Sequence, residues 1–124
     1  MKKFLCAMLF IPFIVFSKEE ITAYYNPGCG CCTSYFSRLE KEGFRLKKVK
    51  VSGEELMKIK SRLGVPPELR SCHTMVYGGR FIEGHVPPEG VRLVLKDKSV
   101  KGTASPHGQK SAKGQYEDSY RVVR

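Results

Sequence analysis

The sequence has no apolar run long enough to cross a membrane. Its most hydrophobic stretch, Phe4 to Phe16, spans 13 residues and contains Pro12, whereas a spanning helix needs about 20. Met1-Lys2-Lys3 precedes the stretch, and Ser17 closes it before Lys18-Glu19-Glu20. A charged start, a short apolar middle and a small residue at the end make the pattern of a secretory signal over residues 1–17, with cleavage expected after Ser17. Cys6 falls inside that segment and leaves with it. Acidic residues are also scarce, 12 Asp and Glu against 22 Lys and Arg, for a formal net charge of +10. Much of that excess lies from Lys96 onward. No base-stacking motif accompanies it, so the charge argues for a solvated basic tail and against a nucleic-acid partner. At most it provides weak contact with anionic membrane surfaces. Internal repeats are absent. So is the spread of cysteines that a disulfide framework requires: three of the four beyond the signal fall within residues 29–32, and adjacent Cys31 and Cys32 would pair only under strain.

The residues between the signal and the tail read as one small α/β domain, residues 18–98. Ile21 to Asn26 is β-branched and aromatic, as strands are, and Asn26-Pro27-Gly28 turns the chain. Cys32, Tyr35, Phe36 and Leu39 then fall at i, i+3, i+4 and i+7, one face of a helix that Gly43 ends. Phe44 to Val51 reads as a second strand, its alternation spoiled by Lys47-Lys48. Ser52 with Glu55 forms a capping box for a second helix, whose apolar stripe is Leu56, Ile59 and Leu63. Two short strands, Thr74–Tyr77 and Arg80–Glu83, flank the hairpin dipeptide Gly78-Gly79. Pro87-Pro88-Glu89 opens a last helix carrying Val91, Val94 and Leu95 inward. The order βαβαββα, with right-handed helical crossovers, predicts a minimal thioredoxin-like fold with a mixed four-stranded sheet. Residues 99–124, rich in Gly, Ser, Lys and Gln, are expected to form a disordered basic tail outside the core.

The chemistry concentrates in Cys29-Gly30-Cys31-Cys32, at the junction between the first strand and the first helix. Free N–H groups and the helix dipole favour a thiolate there. The second element is Cys72-His73, in the loop before the hairpin, where thioredoxin-like proteins usually carry a cis-proline. In that register up to four thiolates and one imidazole, from Cys29, Cys31, Cys32, Cys72 and His73, converge. Thiolates select Cu(I), Zn(II) or iron–sulfur clusters. Zinc would take four of these ligands and leave Cys31 unused. Cu(I) accepts two or three sulfurs, and thiolates bridge neighbouring coppers, so the crowded motif suits more than one Cu(I) ion better than a single zinc. Iron–sulfur spacings are absent. His85 is a candidate for orienting a ligand or, equally, for local hydrogen bonding. Met57 and Met75 read as core filling.

Several ordered motifs carry a family resemblance: Tyr25-Asn26-Pro27-Gly28-Cys29-Gly30-Cys31-Cys32, Gly64-Val65-Pro66, Ser71-Cys72-His73-Thr74, Gly78-Gly79 and Ile82-Glu83-Gly84-His85-Val86-Pro87. Across roughly residues 21–96 the chain resembles the CopG-like small periplasmic copper proteins. The resemblance implies a thioredoxin-like fold, copper ligation by Cys29, Cys31, Cys32, Cys72 and His73, and a part in copper resistance or in managing the copper oxidation state. The chain departs from the family in having Tyr35 where a Trp or other bulky residue is common soon after the cysteines. Gly102-Thr103-Ala104-Ser105-Pro106-His107 also stands in place of a methionine-bearing V-P-G-M-P segment.

The function expected is therefore an exported, periplasmic protein that holds Cu(I) at a multi-thiolate site, with copper ions and other copper-handling proteins as partners. Two alternatives stay open. One is a thiol–disulfide oxidoreductase in which Cys29 attacks and Cys32 resolves. The other is a structural zinc domain that unfolds on chelation.

Overall fold

The computed structural model describes residues 19–124, so the expected signal segment and Cys6 lie outside the described residues. The first strand, β1 (Glu20–Tyr25), buries Ile21, Ala23 and Tyr25 on one face, as its alternation requires. The chain then turns into α1 (Gly30–Lys41), which buries Cys32, Tyr35, Phe36 and Leu39. Gly43 leaves the helix at φ 102°. The next strand, β2 (Arg45–Lys50), runs parallel to β1 with Ile21 opposite Leu46. It forms one edge of the sheet and is largely exposed. That position explains why Lys47-Lys48 interrupts its apolar pattern, because lysines on an edge strand resist pairing with another chain.

Helix α2 (Gly53–Leu63) starts as its capping box requires, with Ser52 Oγ accepting the Glu55 N–H at 3.1 Å. Gly64 closes it in the left-handed conformation, φ 77°. A 3₁₀ turn (Pro67–Leu69) leads to the hairpin of β3 (His73–Tyr77) and β4 (Arg80–Gly84). Gly78 and Gly79 both take positive φ, 58° and 75°, the twist that a two-residue hairpin turn needs. Strand β3 pairs antiparallel with β1 and with β4, and α3 (Pro88–Lys96) follows, burying Val91 and Val94.

Here the structure departs from the sequence reading. The sheet has six strands rather than four, and the residues expected to form a disordered tail supply the other two. Strand β5 (Gly102–Ser105) lies parallel to β4 and is buried throughout. A short helix, α4 (Gln109–Ala112), is followed by β6 (Arg121–Val123), antiparallel to β5. The order across the sheet is β2-β1-β3-β4-β5-β6. Composition concealed β5 because Gly, Thr, Ala and Ser carry no apolar signal, yet small residues are what the site demands. A Cβ on Gly102 would stand 2.4 Å from the ring of Phe81. The helices contribute Phe36, Leu39, Val91 and Val94 to a core closed by Ile21, Met75, Ile82 and Val100. Met75 fills that core as expected, whereas Met57 is 48% exposed on α2. Among the described residues, no helix is long and apolar enough to cross a membrane.

Candidate metal centre

The cysteines sit where β1 hands over to α1. Asn26 organises the turn: its Oδ1 accepts the Gly28 N–H at 3.0 Å, its carbonyl accepts the Cys29 N–H at 3.0 Å, and its side-chain amide donates to Val51 O. Cys29 is thereby the N-cap of α1, with extended backbone and no side-chain cap bond. Its sulfur is free to face its neighbours. Cys29 Sγ lies 3.3 Å from Cys31 Sγ and accepts from the Cys32 thiol at 2.7 Å. The ligand atoms of Cys29, Cys31 and Cys32 all lie within 4.8 Å of one another. The four cysteines among the described residues are free thiols.

The loop before β3 carries Cys72, and His73 opens the strand at the same end of the sheet. Cys72 stands outside the trio of mutually close sulfurs, yet near enough to Cys29 and Cys31 to perturb their ionisation. His73 is fully buried, and both ring nitrogens are engaged: Nε2 lies 3.0 Å from Gly84 O and Nδ1 lies 3.3 Å from Cys32 Sγ. A carbonyl only accepts, so Nε2 carries the proton and Nδ1 turns its lone pair toward the sulfur. Tyr35 stacks on the imidazole at 5.1 Å and Phe36 meets it edge-on at 4.9 Å. Burial, with the charges of His85 and Lys60 adding to it, drives the His73 pKa down to about 3. The ring is therefore neutral, the form that binds metal.

The thiols are unequal. For Cys29, burial works against ionisation, but hydrogen bonds from Cys32, Cys31 and Cys72 overcome it and hold the thiol below its ordinary value. Burial raises Cys31, Cys32 and Cys72, and each is raised further by facing Cys29; Cys72 is pushed up to about 12. One thiolate forms first and the other thiols solvate it. Three sulfurs this close, beside a neutral imidazole, fit a soft thiophilic ion and offer nothing to a hard one.

His85 was weighed from the sequence, whereas the other neighbours of the centre were not. His85 stacks on Tyr35 at 4.6 Å and donates from Nδ1 to Gln115 O at 2.9 Å, while its buried Nε2 has no protein partner. The segment after α4 closes over α1, with Arg38 Nε donating to Gly114 O at 2.9 Å and Tyr116 set edge-on to Tyr35. Lys60 and Glu83 form a buried ion pair beneath the Cys72 loop. The one sequence signal for it was a lysine one residue after Ile59, at the edge of the α2 stripe.

The family described as "Protein of unknown function, DUF411" matches residues 69–114, a span that includes Cys72 and His73 but stops short of the Cys29 cluster. A search of curated proteins gives no match. Two solved structures of copper resistance protein CopG are similar over most of the chain. Form 1 shares 31% identity at a TM-score of 0.72, covering 86% of each chain. Form 2 shares 32% identity at the same TM-score, covering 86% of this chain and 87% of the other. The chain belongs to the CopG-like family. Membership in that family extends beyond the span of the DUF411 match, because the structural correspondence takes in most of the chain.

Proposed function

We propose that this chain is an exported copper-binding protein that holds Cu(I) at a multi-thiolate site in the periplasm and serves copper resistance. Its scaffold would be thioredoxin-like, consistent with the β2-β1-β3-β4 portion of the sheet. Residues 1–17 would be the cleaved signal. The observation that carries the reading is the approach of Cys29, Cys31 and Cys32 Sγ atoms to within 4.8 Å of one another. Copper enters at Cys29, whose thiolate is the most available. Each further thiol that coordinates must lose its proton, so loading releases protons, and coordination supplies the stabilisation that burial denies to Cys32 and Cys72. Cys31, Cys72 and the Nδ1 of His73 complete a donor set large enough for more than one ion, with bridging sulfurs.

An anaerobic titration of the reduced protein with Cu(I), against a chelator of known affinity, tests this. The wild type is expected to bind two or more ions, and Cys72→Ser fewer. A single weak site, indifferent to Cys72→Ser, refutes it. A thiol–disulfide oxidoreductase is the second reading, favoured by the 2.7 Å contact of Cys32 with Cys29 and by the lowered Cys29 pKa. Cys29 thiolate would attack a substrate disulfide and expel one substrate thiolate. Cys32 would then displace the other, leaving Cys29–Cys32 oxidised. Cys31, 3.3 Å from the nucleophile, competes for that bond. Reduction of a disulfide substrate by metal-free protein, abolished in Cys29→Ser, would favour this reading.

A further inference from the structure

Lys60 and Glu83 are the most deeply buried opposite charges among the described residues, 1% and 0% exposed. Burying two such charges costs more solvation than their mutual attraction commonly returns, and an apolar pair of similar volume often serves stability as well or better. Their hydrogen bonds give the pair a different use. The Lys60 ammonium contacts Glu83 Oε2 and donates to Thr74 Oγ1 at 2.7 Å and to His73 O at 3.3 Å. The Thr74 hydroxyl in turn donates to Glu83 Oε1 at 2.7 Å. Glu83 Oε2 also accepts the Ser71 N–H at 2.7 Å.

Apart from the Lys60–Glu83 contact itself, every one of these bonds reaches the segment that carries Cys72. Ser71 lies just before it, and His73 and Thr74 lie just after. Strand β3 begins only at His73, so the Ser71 N–H is satisfied by the carboxylate and not by the sheet ladder. Thr74 and Glu83 are register partners across the hairpin, which fixes the carboxylate under the loop. The same segment carries Cys72, near enough to Cys29 and Cys31 to perturb their ionisation, and sets His73 Nδ1 3.3 Å from Cys32 Sγ.

We infer that Lys60 and Glu83 are positioning residues that set the Cys72–His73 segment against the cysteine cluster. The inference rests on the reading of that cluster as a copper site. The pair touches no donor sulfur. It acts by fixing the main chain on both sides of Cys72, so that the fourth thiol and the imidazole arrive preorganised and are not ordered at the expense of metal affinity.

The test compares wild type, Lys60→Met/Glu83→Leu and Cys72→Ser, with the pair replacement also made in the Cys72→Ser background. Two readouts are taken: anaerobic Cu(I) binding, and site-resolved alkylation of the metal-free protein by iodoacetamide. The apolar pair is expected to unfold as cooperatively as wild type and to lose the copper binding that Cys72→Ser loses. It should have no further effect once Cys72 is serine. Alkylation at Cys72 should change by about fivefold to tenfold relative to Cys29, the scale set by losing one or two hydrogen bonds. Should the double variant not fold, Glu83→Gln, which keeps the side chain's size, is read in its place. Cys72 reactivity and Cu(I) binding both equal to wild type overturn the inference. So does a loss of copper binding that is the same with and without Cys72. If wild type itself binds no Cu(I), the copper reading fails, while Cys72 alkylation still decides whether the pair positions the loop.

Discussion

His73 is held through Nε2 to Gly84 O, faces Cys32 Sγ with Nδ1 and is enclosed by Tyr35 and Phe36, and this gives it a measurable effect on the metal-free protein. Its pKa is about 3 in the folded state against an ordinary 6.5. The unfolded chain therefore takes up a proton that the native state refuses. The stability this neutral ring contributes is complete above pH 6.5 and is lost as pH falls toward 3. Between pH 6.5 and 5 the loss is about 2 kcal/mol, from about 1.4 kcal/mol per pH unit. His73→Phe keeps an aromatic ring of similar size and removes the titration. Unfolding free energies from urea titration of the metal-free wild type should fall between pH 7 and pH 5 by that amount more than those of His73→Phe. His85, also held low by burial, remains in both proteins and so cancels in the comparison. Parallel pH dependences would mean that His73 accepts a proton in the native state, and its place as a neutral donor would fall with that.

Among the elements, the C-terminal ones carry the sharpest test. Strand β5 covers Phe81, Ile82 and Glu83 through its pairing with β4, and Gly102 is packed so closely on Phe81 that a Cβ would overlap the ring. Gly102→Ala is expected to cost about 1–3 kcal/mol, the range for overpacking a filled core. A chain ending at Lys98, the domain limit read from sequence, loses β5 and β6 and should not unfold cooperatively by circular dichroism. If that shortened chain is as stable as the full one, the C-terminal strands are an ornament to the fold. The contrast with the first four strands shows what sequence can convey. Strand β1, the two long helices and the Gly78-Gly79 hairpin announce themselves through apolar period, caps and turn residues, all local signals. Strand β5 is held by backbone pairing and by the smallness of its side chains against a distant phenylalanine, so nothing within residues 102–105 reveals it. The site divides the same way. The thiols were legible because C-x-C-C is a dense chemical signal. Lys60 and Glu83 were not, because their meaning depends on a contact between a helix and a hairpin 23 residues apart in sequence.

For the whole molecule, the candidate metal centre occupies one end of the sheet at the margin of the core, with Cys32 a core residue and Cys29, Cys31 and Cys72 packed against it. Phe36, Leu39, Met75, Ile82, Val91, Val94 and Val100 are each fully buried without contribution from a metal, and apolar burial on that scale is what commonly sustains a domain of this size. A structural zinc module behaves otherwise: its binding free energy is its folding free energy, and chelation unfolds it. The reduced, metal-free protein is therefore expected to be folded and to melt in one cooperative transition. Cu(I) should raise the melting temperature by mass action, with about 2.7 kcal/mol of added stability when free metal is a hundredfold above the dissociation constant. A competing chelator should return the protein to its metal-free melting temperature and leave its far-ultraviolet circular dichroism unchanged. Collapse of that signal on chelation would establish the structural-zinc type of dependence. A fold that survives both loading and removal lets copper enter and leave the thiolates while the scaffold stays assembled, which storage or transfer of the ion requires.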